Sequence, residues 1–428
     1  MRHLLLSILV LGCHGTRPST NTEPDAASPT GDGAGSDGAC AAGLAGAPCV
    51  LGLYDQAQSC DPTAVAALKT ELDARQGLGP LWADGRALFR TDTVGAIAGD
   101  WNGWSTTAMM TADFCGSGLV IAVGAVPTGL HPYKLARGDV WSLDPHDPAF
   151  AYDDFAGNAD GVNSVLDTPD SGVGHLIELP QACSTVLGNC RDVTAYLPAG
   201  YDAPANAART YPVLFMHDGQ NVWDDHDCCF GHTGWEVNVT LDAQIAAGEV
   251  APIIVIAAAS TVARNDEYGL DQAKMLAFID FQVGELQPQA LAHVRHDANR
   301  VAIAGSSLGG LVAMELALRH PDVYGAAASL SGAFWPRMDQ HTALRDEVPG
   351  FGKQALALYV DSGGEPADNS DGAADTIEVR DELVTLGWQR GCVAGPSAVC
   401  YAWAEGATHD ELAWKARAWR FLEFLFPA

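Results

Sequence analysis

The sequence predicts an α/β protein, with a mostly parallel sheet that has helices on both faces and is preceded by a small β-sandwich. Over residues 172–428, apolar strand candidates alternate with helical stretches, which is the pattern of such a sheet. Over residues 85–168, short strands and Gly/Pro turns follow one another without helical periodicity, which is typical of a sandwich. The chain has 428 residues, of which 48% are hydrophobic, so each unit can bury a core. The eight strand candidates of the α/β unit are residues 175–179, 192–198, 212–217, 252–258, 300–304, 326–331, 356–361 and 399–405.

The chain begins with the features of an export signal. A basic start and the apolar run 4–11 precede Gly12 and Cys13. This order indicates a secretory signal peptide, and the cysteine resembles the lipid-modified residue of the bacterial lipobox. We therefore predict a lipoprotein-type signal peptide at residues 1–13. Leu11 departs from the usual small residue, and an ordinary signal peptide cut elsewhere is the alternative.

Two segments separate this signal from the sandwich. Residues 14–39 are rich in small and polar residues, so we expect a flexible tether. Residues 40–84 contain cysteines and one predicted helix, 62–76, which Asp61 can cap. A tether behind a lipid anchor holds a folded body clear of the membrane. We therefore expect an exported, lipid-anchored protein of the cell envelope, facing the periplasm or the exterior.

The cysteines indicate disulfides. Of 11 cysteines, ten remain when Cys13 is set aside, and an even number in an exported chain favours pairing. Cys228 and Cys229 are adjacent, so each is expected to pair elsewhere unless the two form a strained vicinal bridge. The spacing leaves the pairings of Cys40, Cys49, Cys60 and Cys115 open. The pairs close enough to staple a hairpin are Cys183 with Cys190 and Cys392 with Cys400.

The negative net charge of the chain argues against nucleic acid as a partner. The chain carries 53 Asp and Glu against 23 Lys and Arg, a formal net charge of −30. Such an acidic chain repels phosphate backbones and anionic lipid headgroups, which argues against nucleic-acid binding. No apolar run reaches about 18 residues, so the sequence predicts no spanning helix and any membrane contact is through the lipid anchor.

One motif carries a candidate nucleophile. The apolar strand 301–304 leads into Gly305-Ser306-Ser307-Leu308-Gly309, and a helical run, 311–320, follows. This is Gly-x-Ser-x-Gly between a strand and a helix. The glycines leave room for a tight turn, and the helix N-terminus favours developing negative charge. We therefore predict that Ser307 projects from the carboxyl edge of the sheet.

A serine hydroxyl needs a base, and three histidines follow Ser307. His320 sits at a helix end, where it more readily caps carbonyl groups, and His341 has no strand before it. His409 lies in the loop after the last strand candidate, ahead of the C-terminal helix. The chain order Ser, acid, His therefore predicts His409 as the base.

The carboxylate that orients the base should follow the seventh strand candidate. Asp361 is still on that strand and is expected to be structural. Glu365 and Asp368 are both candidates, and we expect Asp368 to fill the position. Asp371 and Asp375 are further options. The group must accept the His409 ring N–H and stabilise the imidazolium.

An oxyanion hole needs two backbone N–H groups aimed at the developing charge. One is expected from Leu308, directly after the candidate nucleophile. The other is expected from Gln220, in the loop that follows the strand 213–216.

Two metal hypotheses are less favoured than structural ones. The zinc candidates match no familiar ligand spacing, and an oxidising compartment favours disulfides. The calcium candidates lack EF-hand spacing, so a solvated loop is the better interpretation. We expect neither a metal nor an organic cofactor. The zinc candidates are His217, His226, Cys228, Cys229 and His232. The calcium candidates are Asp153, Asp154, Asn158 and Asp160.

Three motifs together resemble a known family. Residues 211–221, Arg264 with Glu267-Tyr268, and residues 305–310 are similar to the esterase family of α/β-hydrolases that includes enterochelin, feruloyl and acetyl-xylan esterases and mycolyltransferases. The resemblance implies Ser307 as nucleophile, His409 as base, and Leu308 and Gln220 as the oxyanion amides. The segment 363–375 is longer than usual, which leaves Glu365 open beside Asp368.

The sandwich resembles the immunoglobulin-like N-terminal domain of isoamylases and glycogen-branching enzymes, which also precedes many esterases. Its Trp101 and Trp104 either stack on sugar rings or, as we expect, fill the sandwich core. The whole predicts a serine carboxylic-ester hydrolase acting on a siderophore ester or a feruloylated or acetylated polysaccharide. The alternatives are a glycan-binding lipoprotein with an inactive hydrolase domain and an acyltransferase that uses the same residues.

Overall fold

A computed structural model describes residues 40–41, 46–75, 77–153, 155, 161–226, 228–229, 233–335 and 344–428. The predicted signal peptide and tether, His232, His341 and most of the calcium candidates (Asp154, Asn158 and Asp160) lie outside the described residues. Within these ranges, no helix is both long enough and apolar enough to cross a bilayer.

Eighteen strands and ten α-helices make up the described ranges. The strands are β1 (Leu81–Ala83), β2 (Arg86–Thr91), β3 (Ala96–Gly99), β4 (Ala112–Asp113), β5 (Val120–Ala125), β6 (Leu130–Arg137), β7 (Val140–Ser142), β8 (Ala149–Tyr152), β9 (Val162–Asp167), β10 (His175–Ser184), β11 (Asn189–Leu197), β12 (Tyr211–Met216), β13 (Ile254–Ala258), β14 (His296–Ser306), β15 (Ala326–Leu330), β16 (Ala357–Ser362), β17 (Gln389–Arg390) and β18 (Ala398–Trp403). The helices are α1 (Ala47–Ala57), α2 (Pro62–Asp73), α3 (Val237–Ala247), α4 (Gln272–Phe281), α5 (Gln287–Leu291), α6 (Leu308–Arg319), α7 (Leu344–Phe351), α8 (Ala373–Thr385), α9 (Glu411–Lys415) and α10 (Ala418–Leu425).

The C-terminal unit is a mixed sheet in the order β11-β13-β12-β14-β15-β16-β18-β17. All strands from β13 to β17 in this order are parallel, and β11 is antiparallel to β13. Alternate residues of each central strand point to opposite faces of the sheet, and each face is covered by its own hydrophobic core. Val213 and Phe215 pack with α4, α6 and α8, whereas Leu214 and Met216 pack with α3 and α10. All eight strand candidates are strands, and the predicted α/β-hydrolase fold is confirmed.

The strand order reverses between β12 and β14. The connection after β12 runs to β13 on one side, and the connection after β14 runs to β15 on the other. Chain segments that diverge in this way open a crevice at the carboxyl ends of two neighbouring parallel strands, which is where such sheets bind ligands. Gln220 follows β12 and Ser307 follows β14, so both flank this crevice.

The N-terminal unit consists of two antiparallel layers. The sheet β1-β2-β5-β4 packs on the strands β3, β6 and β9 through a shared core that includes Phe89 and Tyr133. Trp101 stacks on Phe89 with a centroid separation of 5.8 Å, and Trp104 packs on the alanines of β3 and β6, so both rings take part in packing. β8 pairs with β10, which makes the second layer continuous with the α/β sheet. The immunoglobulin-like classification of this unit stays a prediction.

The disulfides correct one expectation. Cys228 and Cys229 bond to each other, so the expectation that each pairs elsewhere is wrong and the vicinal alternative holds. The hairpin pairs Cys183–Cys190 and Cys392–Cys400 form as predicted, and the pairings left open are Cys40–Cys49 and Cys60–Cys115.

The cysteine-containing segment holds two helices, where the sequence interpretation recognised one. α2 begins at Pro62, and the Asp61 carboxylate accepts hydrogen bonds from the N–H groups of Thr63 and Ala64. α1 was missed because it starts next to a disulfide and Gly46, without a side-chain cap.

Candidate active site

Ser307 occupies a strained turn between β14 and α6. Its backbone lies at φ 55° and ψ −124°, a region that side chains with a Cβ rarely adopt and that costs roughly 1–3 kcal/mol. The turn closes because two glycines lack side chains. A Cβ on Gly305 would lie 2.6 Å from the Gly309 carbonyl carbon, and one on Gly310 would lie 2.5 Å from Ser329 Oγ. The strain and close packing are those of a nucleophile elbow.

His409 is held by a carboxylate. Its Nδ1 lies 2.5 Å from Oδ1 of Asp371, and the ring edge of Trp414 packs against it at a centroid separation of 5.1 Å. Since a carboxylate accepts, the proton is assigned to Nδ1, which leaves Nε2 as the basic nitrogen. The Asp371 side chain is 3% exposed, whereas that of His409 is 31% exposed and open to solvent.

The expected contact between Asp368 and His409 is wrong, because Asp371 takes that place. Asp368 is exposed, and its carboxylate accepts from the Ser370 N–H at 2.9 Å; hydrogen bonds from the side chain and the backbone of Ser370 lower its pKa. Glu365 is also exposed, and its N–H donates to Ser370 Oγ at 2.7 Å. These short-range bonds turn residues 365–370 outward.

Asp371 then adopts a left-handed conformation, φ 55°, which returns its side chain towards the sheet. The other option, Asp375, lies in the first turn of α8 and accepts from Asn369 Nδ2 at 2.7 Å. Asp361 lies on β16, as expected, and pairs with Arg417.

A path of hydrogen bonds joins the serine turn to the His–Asp pair. The Ser307 N–H donates to the Leu330 carbonyl at 3.0 Å. Ser331, which follows Leu330 in the chain, donates a hydrogen bond from its hydroxyl to Oδ2 of Asp371 at 2.6 Å. Both groups therefore lie at the carboxyl edge of adjacent strands. Burial raises the pKa of Asp371, but the hydrogen bonds from His409 and Ser331 outweigh it and hold that pKa below its usual value.

The loop after β12 is fixed by three side-chain contacts. Asp218 forms two bonds with Arg264, at 2.6 and 2.7 Å. The Gln220 amide exchanges bonds with Ser260, donating to Oγ at 2.8 Å and accepting from its N–H at 3.0 Å. Asn221 Nδ2 donates to Oε1 of Glu411 at 3.1 Å, two residues beyond His409.

The two amides predicted to form the oxyanion hole lie in different elements. Leu308 is the first residue of α6, and the first N–H groups of a helix have no intrahelical partner. Gln220 lies in the short turn Gly219–Asn221. A Cβ on Gly219 would lie 2.7 Å from the Ala258 carbonyl carbon, so the turn sits directly on β13. The role of both amides stays a prediction.

Three of the zinc candidates, His217, Cys228 and Cys229, are engaged in other ways. Burial lowers the pKa of His217 to about 4, so the ring is neutral, and it packs on Tyr268 and Phe278. Cys228 and Cys229 are oxidised to a disulfide. Over the described ranges, no group of three or more His, Cys, Asp or Glu side chains could hold a metal ion.

Sequence reasoning missed the residues behind the site. Ser331 donates to Asp371, Trp414 and Arg417 donate to Ser331, and Glu411 contacts the loop after β12. One signal was available: Trp414 and Arg417 lie three positions apart in the segment that directly follows the histidine loop.

The fold, the strained serine turn and the His–Asp pair define an α/β-hydrolase. A protein-family model described as "Putative esterase" matches residues 184–417, more than half of the chain, and the chain belongs to that family.

Two known proteins that are similar in sequence to this chain carry esterase names. An iron(III) enterobactin esterase of Dickeya dadantii is 31% identical over 188 residues, 43% of this chain and 39% of that protein. An endo-1,4-beta-xylanase/feruloyl esterase of Xylanibacter ruminicola is 25% identical over 254 residues, 57% of this chain and 30% of that protein. The chain thus spans less than half the length of these relatives. A crystal structure of the enterobactin esterase of Shigella flexneri is 16% identical, with a TM-score of 0.44, and covers 81% of this chain and 96% of that one.

Proposed function

We propose that this protein is a serine carboxylic-ester hydrolase that works through an acyl-enzyme. The observation that carries the proposal is the strained Ser307 at the crevice between β12 and β14, with the His409–Asp371 pair at the same edge of the sheet. Membership of the esterase family supports it.

The reaction follows from these groups. Ser307 Oγ attacks the ester carbonyl carbon while Nε2 of His409 takes its proton, and Asp371 stabilises the imidazolium. The amides of Leu308 and Gln220 donate to the developing oxyanion. His409 then gives the proton to the leaving alcohol. A water molecule, deprotonated by His409, then attacks the acyl carbon. The acid is released as the bond to Ser307 Oγ breaks, and His409 returns the proton to that oxygen.

The substrate class we propose is a siderophore ester or an acylated polysaccharide. Its support is the names of the two relatives, an enterobactin esterase and a xylanase/feruloyl esterase. The acidic chain, with a net charge of −30, does not favour esters with many phosphates.

We also propose that the protein is exported and lipid-anchored. The support is the basic, then apolar start that ends at Cys13, together with the five disulfides, which persist in oxidising compartments.

The test compares two adjacent serines. S307A should abolish both hydrolysis of a short aryl ester and labelling by a fluorophosphonate, because no nucleophile remains. S306A, at the buried end of β14, is the matched control and should keep both. Unchanged turnover in S307A contradicts the proposal. An unlabelled wild-type protein that retains glycan affinity supports the inactive, glycan-binding alternative instead. A panel of siderophore and acyl-xylan esters then identifies the substrate.

A further inference from the structure

The second oxygen of Asp371 is bound by two donors from neighbouring strands. Oδ1 faces His409, and Oδ2 accepts from the hydroxyl of Ser331 at 2.6 Å and from the N–H of Gly363. Ser331 directly follows β15, and Gly363 directly follows β16. The carboxylate is therefore clamped at the edge of the sheet, with one oxygen left for the histidine.

The direction of the Ser331 hydrogen bond is determined by its other neighbours. Trp414 Nε1 lies 3.0 Å from Ser331 Oγ, and Arg417 Nη2 lies 2.6 Å from it. An indole N–H and a guanidinium can only donate, so they occupy both lone pairs of the hydroxyl. Its single proton can then point only to Asp371, which makes Ser331 an obligate donor to that carboxylate.

Arg417 is itself fixed by a buried ion pair. Its side chain is 3% exposed, and its Nε donates to Oδ2 of Asp361 at 3.0 Å. The other oxygen of Asp361 accepts from the Ser331 N–H at 3.1 Å. Arg417 Nη2 also lies 3.9 Å from Oδ2 of Asp371, so one guanidinium serves two carboxylates.

These contacts connect segments that are distant in sequence. Arg417 belongs to the end of the chain that carries His409, whereas Asp361 and Asp371 lie before and after the loop that follows β16. Trp414, one turn before Arg417, donates to Ser331 and also packs on the His409 ring. The same helical segment thus contacts both members of the His–Asp pair.

We propose that Arg417, anchored by Asp361, is a positioning residue that acts through Ser331 to fix which oxygen of Asp371 faces His409. The proposal rests on the proposed function, since it assigns a role within the same site. Arg417 acts at a distance from the substrate. Its contribution is to make the carboxylate rigid and correctly oriented before the reaction begins.

The experiment uses S331A and R417K in the full chain, with kcat, KM and the pH profile measured on a short aryl ester. S331A removes the obligate donor. R417K keeps the positive charge but loses the planar guanidinium, whose separate N–H groups bond to Asp361 and to Ser331 at the same time. Each variant should lower kcat about tenfold with little change in KM, as partners behind a catalytic group do. Because both act on one bond, the double variant should lose little more than either single variant.

R417M repeats the comparison of kcat with KM, a readout that a merely structural role does not move. R417M removes the guanidinium altogether, so it should lower kcat at least as much as R417K does, again with little change in KM. R417M also leaves Asp361 buried without its cation, so all rates are divided by the folded fraction from near-ultraviolet circular dichroism.

The matched control is R420K, which lies three residues after Arg417, within α10 and outside the contacts of Asp371 described above, and it should behave as wild type. The inference is overturned if folded S331A and R417K keep kcat within about twofold of wild type, or if their losses vanish once rates are divided by the folded fraction. These outcomes differ from a failure of the proposed function, which shows itself as activity in S307A.

Discussion

Oδ1 of Asp371 lies 2.5 Å from Nδ1 of His409, and Asp371 adopts a left-handed backbone conformation to reach it. Asp368, three residues earlier, is exposed and caps the Ser370 N–H. The two aspartates share one loop and differ in which side of it they face. Each therefore serves as a control for the other.

D371N should lower kcat/KM for a short aryl ester by about 10³–10⁴-fold, because an amide facing Nδ1 selects the wrong histidine tautomer. D368N should stay near wild type, since it removes only an exposed cap. The measurement is steady-state kinetics on both variants, with circular dichroism to confirm folding. Equal losses in the two variants, or full activity in D371N, contradict the assignment.

The sequence could predict Ser307 and His409 as a pair because their context is local. A strand, a Gly-x-Ser-x-Gly turn and a helix can be recognised within about 20 residues, and the order of the groups along the chain then selects one histidine. The acid could not be found in this way. Its position depends on side-chain bonds to Ser370 and on left-handed residues at Asn369 and Asp371, which carry no periodic signal.

The fold was likewise predictable where a local sequence pattern marks an element, and not where it depends on contacts between distant residues. The parallel strands are continuous apolar runs, so their positions were predictable within a few residues. The pairing of β8 with β10, which joins the two units into one sheet, is a long-range contact without a sequence pattern. The Arg417–Asp361 pair was equally hidden, because its partners lie 56 positions apart and only the folded sheet brings them together.

The glycines around Ser307 lead to a prediction about packing. G305A should destabilise the fold by about 1–3 kcal/mol and lower activity, because its Cβ would lie 2.6 Å from the Gly309 backbone, which cannot move aside. G284A is the matched control. Gly284 lies in the helical segment Gln282–Leu286 with nothing within 4 Å of the added carbon, so alanine should be neutral or stabilising. Urea unfolding midpoints and aryl-ester kinetics test both variants, and a stable, fully active G305A is the outcome that contradicts the tight-turn argument.

The pair formed by Asp218 and Arg264 leads to a prediction about pH. Burial raises the pKa of Asp218, but the charge and the two hydrogen bonds of Arg264 outweigh it, and the net pKa lies below its usual value. A carboxyl group with a lower pKa in the folded state stabilises the fold above its unfolded pKa of about 3.9. That contribution is lost as the pH falls through the folded value.

D218N should therefore be less stable than wild type by about 3–5 kcal/mol at pH 7, since it leaves Arg264 buried without a counter-charge. Asparagine tolerates the left-handed conformation of residue 218, φ 57°, so the change tests charge and not backbone strain. The difference between the two proteins should stay constant from pH 7 to about pH 5 and shrink below about pH 4, as the wild-type carboxylate takes up a proton.

Urea unfolding at a series of pH values measures this difference directly. D266N, which breaks the exposed pair of Asp266 with Lys274, is the control and should change stability little at any pH, because solvent screens exposed charges. A D218N deficit of the same size at pH 3 and pH 7 contradicts the argument. The loss in D218N would then come from packing or hydrogen bonding that does not depend on the carboxylate charge, and the pair with Arg264 would contribute no electrostatic stability to the loop that carries Gln220.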